Sequence, residues 1–84
     1  MMMAVRMRGL RVYVNPVSVG GERHVFYSRR ADGPLYRWLY EAEPGRWSCA
    51  RVHLPDLTLR LLAVTAWQNV PATLRARLCE HYLE

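Results

Sequence analysis

Apolar and polar positions alternate first over residues 10–14, where Leu10, Val12 and Val14 share one parity and Arg11 and Tyr13 the other, the pattern of a half-buried strand. Val5 and Met7 sit on the opposite parity, so Gly9 marks either a bulge or the true strand start. Asn15-Pro16 ends the run, because proline cannot donate to a sheet ladder. A loop over Val17–Gly21 follows, hinged at Gly20-Gly21. His24–Arg29 reads as a second strand whose inner face is open to choice, since Val25 and Tyr27 compete with Phe26. Asp32-Gly33-Pro34 is the next turn signal.

The segment Leu35–Leu54 reads as a β-hairpin turning at Pro44-Gly45. Tyr36, Trp38 and Tyr40 recur with period two, and Leu35, Arg37, Leu39 and Glu41 fill the other face. A four-residue loop centred on Pro44-Gly45 sets Tyr40 opposite Cys49, Trp38 opposite Arg51 and Tyr36 opposite His53, with Leu35 opposite Leu54. Shifting by one residue sets Arg37 against Arg51, and like charges directly opposed are unfavourable.

Beyond Pro55 the period changes. Asp56 fits the N-cap of a helix over Leu57–Gln68 whose apolar positions run nearly all round, so it is buried on most sides or sits at a subunit interface. A strand at Leu57–Leu61 competes, because Leu57, Leu59 and Leu61 also alternate. Asn69 fits a C-cap, and Pro71 opens a last helix to about Leu83. There Leu74, Leu78 and Tyr82 line one face, with Arg75, Arg77, Glu80, His81 and Glu84 outward. The expected fold is α+β: a small, mostly antiparallel sheet of three to four strands with a central 35–54 hairpin, followed by two C-terminal helices.

A length of 84 residues supports one domain over 1–84, with residues 1–6 either disordered or upstream of the true start, given methionines at 1, 2, 3 and 7. A chain this short buries a modest share of its surface, which favours a homodimer. All twelve basic residues are Arg, with no Lys and no Ile, which reads as the codon bias of a GC-rich prokaryotic genome. The sign of the charge is unaffected by that bias. Of the net +5, the excess lies in the first thirty residues, where Arg6, Arg8, Arg11, Arg23, Arg29 and Arg30 face Glu22 alone. Arg8, Arg11, Arg23, Arg29 and Arg30 form the expected basic surface, suited to nucleic acid or an acidic protein patch. The longest unbroken apolar run is Met1–Val5, so no leader or membrane partner is expected. Two cysteines make no disulfide framework and point to a reducing cytoplasm.

Reactive chemistry finds little support. Cys49 and His53 would share a strand face about 13 Å apart, and Cys79 and His81 point to nearly opposite sides of a helix. No CxxC or HxxxH spacing exists, so neither metal nor cofactor is expected. Ser18, Ser28 and Ser48 lack a nucleophile elbow, and Gly20-Gly21 is not followed by a phosphate-loop signature. The expectation is no enzyme, no catalytic residue and no small-molecule substrate.

The aromatic face of the hairpin carries the functional expectation. Tyr36, Trp38, Tyr40, Trp47 and Arg51 would lie together, and Trp, Tyr and Arg are the types enriched at binding hot spots. The reading is a small non-enzymatic accessory or regulatory protein that binds a protein partner, or itself, through that face. The alternative is single-stranded DNA or RNA stacked on the aromatics beside the basic N-terminal third, without the RNP signature of an RNA-recognition motif. If the aromatic face is instead core, Trp38→Ala destroys the fold rather than a binding surface.

Overall fold

A computed structural model describes residues 9–16 and 24–83. Arg8, Arg23 and the loop expected over 17–21 lie outside the described residues. The elements in chain order are β1 (Leu10–Val14), β2 (Val25–Arg30), β3 (Leu35–Glu41), β4 (Arg46–Val52), α1 (Asp56–Leu61), β5 (Ala63–Thr65), a 3-10 turn (Trp67–Asn69) and α2 (Ala72–Tyr82). The strands make one antiparallel sheet in the order β4-β3-β2-β1-β5. The α+β class and antiparallel sheet agree with the sequence pattern. The number of strands and the region after Pro55 do not.

The long helix expected over Leu57–Gln68 stops at Leu61. Ala63–Thr65 instead pairs with Val14–Val12, which gives the outer backbone groups of β1 a partner. β-Branched Val64 and Thr65 suit that extended conformation. Pro55, not Asp56, is the N-cap; Asp56 stands in the first turn, where its charge complements the helix dipole. No residue of α1 is buried, so its leucines line the surface rather than a core. Asn69 belongs to the 3-10 turn, and Pro71 caps α2 one residue before its start. Gly9, at φ +83°, precedes the first strand residue and so marks the strand start.

The hairpin register is two residues away from the expected one. Tyr36 faces Arg51, Trp38 faces Cys49, Tyr40 faces Trp47, and Glu41 faces Arg46. Gly45, at φ +84°, does not centre the loop but closes it, and its N–H donates to the Glu41 carbonyl at 2.7 Å. The loop therefore runs over 42–45, centred one residue earlier than a Pro-Gly turn implies. A shift of two leaves every side chain on its expected face and changes only its neighbour.

All buried strand residues lie on one face: Val12, Val14, Phe26, Ser28, Trp38 and Trp47. The stripe Leu74, Leu78 and Tyr82 of α2 closes over them, with Val70 completing the core. Side chains from the sheet pin this helix at both ends. Trp47 donates its indole N–H to Thr73 Oγ1 at 3.0 Å in the first turn. At the other end Arg30 donates to the Tyr82 carbonyl at 2.7 Å, satisfying a helix-terminal acceptor.

Ser28, fully buried, is the polar centre of that core. Its hydroxyl accepts the Trp38 indole N–H at 2.9 Å and shares a hydrogen bond with the Tyr82 hydroxyl at 2.7 Å. Burial raises the pKa of Tyr82 above its ordinary 10.0, against the opposing effect of the Ser28 hydrogen bond. A phenol with a raised folded-state pKa holds its proton when the unfolded chain has lost it. Its stabilisation is therefore complete below pH 10 and is lost as pH rises beyond that value. Urea midpoints measured against pH are expected to fall above pH 10. Tyr82→Phe is expected to be less stable by about 1 kcal/mol at neutral pH and to show a shallower alkaline decline. Parallel curves for the two proteins would mean that the phenol titrates alike in both states.

Candidate functional site

Burying the aromatic face decides which face of the sheet is available. Trp38 is 1% exposed and Trp47 4%. Their place in the core corrects the expectation that they line an open binding surface. The cause is the α2 stripe, which lands on their face and brings His81 with it. The helix pattern sets His81 outward, but its ring sits edge-on to Tyr36 (4.5 Å between centroids) and to Trp38 (5.4 Å). Tyr36 and Tyr40 are half-buried, Tyr40 against Trp47 at 5.2 Å. Arg51 is exposed at the end of β4.

The basic residues also separate. Arg30 belongs to the core face, with its guanidinium 5.2 Å from the Tyr82 ring centroid. Arg11 and Arg29 lie on the opposite face, directly paired between β1 and β2. On that opposite face no described strand position is buried. Its side chains stand in rungs across the sheet, set by the register. One rung holds Arg11, Arg29, Leu35 and Val52, and the next Val64, Tyr13, Tyr27, Arg37 and Ala50.

Three residues of this arrangement, Tyr13, Tyr27 and Arg37, are not among the functional residues that the sequence pattern singles out. A signal is present. Arg11-x-Tyr13 in β1 is reversed as Tyr27-x-Arg29 in β2, and in antiparallel pairing a reversed motif sets like beside like. Using it requires the β2 parity, which the alternation leaves open. Tyr13 and Tyr27 are half-exposed, and Arg11, Arg29 and Arg37 are exposed. None of the three arginines forms an ion pair with a described residue; Arg77 with Glu80 does, at 3.1 Å. Two guanidinium groups directly opposed repel, so this pair is unfavourable until an anion lies between them.

Other chemistry is thinner. Cys49 is half-buried, and burial raises its thiol pKa above 9.0 against the opposing charge of Arg77, so it is a poor nucleophile at neutral pH. Among the described residues no group of three or more His, Cys, Asp or Glu is placed to hold a metal ion. Among them, too, no helix is long and apolar enough to cross a membrane. What the open face offers is a set of aromatic rings beside guanidinium groups that form no ion pair with a described residue. No family model, curated protein or solved structure matches this chain.

Proposed function

We propose that the chain is a non-enzymatic binding module that holds single-stranded nucleic acid on the open face of its sheet. The observation that carries this reading is the stacked pair of rungs: Arg11 beside Arg29, and Tyr13 beside Tyr27 and Arg37. Arginine supplies forked donors to phosphate, and half-exposed tyrosine gives unpaired bases a ring to stack on. A duplex hides its base faces and cannot use the tyrosines. The residues differ from those first expected, but the chemistry is that of the single-strand alternative moved to the other side of the sheet.

The test is fluorescence anisotropy with single-stranded and duplex oligonucleotides over a range of salt. Binding is expected for the single strand, weakening as salt rises, because phosphate binding releases counterions. Absence of binding at low salt, or equal preference for duplex, overturns the reading.

A second reading is association with another protein or with a second copy. It is favoured by Leu57, Leu61, Val64 and Trp67, which are exposed large apolar residues on α1, on β5 and at the 3-10 turn. A mass of two chains by sedimentation, together with failure to bind any oligonucleotide, is the outcome that selects it.

A further inference from the structure

At the end of the sheet where β4 finishes, the β2–β3 turn, the last residues of β4 and α1 enclose a cleft of about 370 Å³. Arg29, Arg51 and His53 line it, with Asp32 as its acidic group and Leu54 and Leu59 as an apolar wall. A second cleft of about 410 Å³ lies beside it. It shares Arg29 and Asp32 with the first and adds Arg11 and Tyr13. The two clefts are therefore neighbours across one Arg-Asp wall, and the second runs onto the tyrosine and arginine rungs.

We propose that the first cleft seats a terminal phosphate of a nucleic-acid strand whose remaining chain passes over Arg11 and the two tyrosines. The inference rests on the single-strand reading and names its preferred ligand. The balance of charge favours an end group. A phosphomonoester carries about −1.5 to −2 charges at neutral pH, more than the single charge of an internal phosphodiester. Two arginines and a histidine line the cleft against one aspartate; Arg29 belongs to the open face and Arg51, opposite Tyr36, to the other, at the end of edge strand β4. Guanidinium forks bind such oxygens bidentately, and imidazole donates a hydrogen bond in either protonation state. Arg51 and His53 are exposed, so their donors are accessible to a ligand. Leu54 and Leu59 give the cleft an apolar side.

The experiment compares one oligonucleotide sequence in three forms: 5′-phosphorylated, 3′-phosphorylated and hydroxyl at both ends. One phosphorylated form is expected to bind about tenfold tighter than the hydroxyl form, as a few added charge-assisted hydrogen bonds allow. Arg51→Gln is expected to erase that preference while leaving the hydroxyl form bound within about twofold, with an unchanged melting curve. His53→Gln, outside every helix and strand, is expected to reduce the preference part-way. Equal affinities for all three forms overturn the proposal and leave the sheet-face reading standing. No binding of any form overturns both. Inorganic phosphate that perturbs the Arg51 side-chain resonances without any end preference marks a free-anion site and also overturns the proposal.

Discussion

Trp38→Ala is expected to abolish the cooperative unfolding transition at 37 °C. Truncating a buried Trp costs about 3–5 kcal/mol, through the apolar burial it forfeits and the cavity left behind. At Trp38 a further penalty arises, because Ser28 loses the indole N–H that it accepts inside a fully buried environment. The edge-on packing of His81 loses its support as well. An 84-residue domain sits at the low end of the usual 5–15 kcal/mol, so the sum approaches the whole of its stability. Circular dichroism through a thermal melt reads the result directly. Trp38→Phe, which keeps the ring volume in part, is expected to fold with a lowered midpoint. A native melt for Trp38→Ala would remove Trp38 from the core and reopen the aromatic face as a binding surface.

Arg29→Glu is expected to move stability and binding in opposite directions. It turns the direct Arg11–Arg29 opposition into an opposite-charge pair, which stabilises by roughly 0.2–1 kcal/mol relative to a neutral pair and removes a repulsion. On the proposed reading the same change deletes a phosphate-binding group and adds a repulsive charge, so affinity for a single strand falls at least about tenfold in low salt. The double variant Arg11→Glu with Arg29→Glu restores like charges and returns stability near its starting point. Its affinity is expected to fall by about a hundredfold, with the log–log salt slope reduced by about 0.7 for each phosphate no longer neutralised. A better-folded protein that binds less well cannot be explained by misfolding. Unchanged affinity in the double variant would show that this rung is merely a solvated surface.

Much of the scaffold is written in local pattern. Leu10, Val12 and Val14 face inward as their alternation requires, and Leu74, Leu78 and Tyr82 form the helix stripe that their spacing of four predicts. Pairing is less legible, since Gly45 at positive φ suits both the centre of a type II turn and the end of a longer loop, and only the Glu41–Arg46 pairing and the Gly45 N–H bond to the Glu41 carbonyl distinguish the two. The strand Ala63–Thr65 exists because β1 offers it an edge, and nothing within those three residues announces that partner.

The open face is the hardest feature to read, for a specific reason. Both sides of the hairpin carry apolar residues, and the choice between them is made by where α2 lands. β2 compounds the ambiguity: its inward residue Ser28 looks like a surface residue, and its outward Tyr27 looks like core. Ser28 is inward because Trp38 and Tyr82 both bring polar atoms that need a partner there.

The like-beside-like rungs also fix an orientation and a footprint. Because Arg11 and Arg29 follow one line across the strands and Tyr13 and Tyr27, with Arg37 beside them, the next, a polymer using both lines runs crosswise, over the strands rather than along them. Five strands spaced about 4.8 Å apart leave about 19 Å between the outermost axes. At about 3.4 Å per stacked nucleotide, one chain covers no more than about six. Longer polymers are then expected to load several copies side by side, with a stoichiometry that climbs in steps of that size.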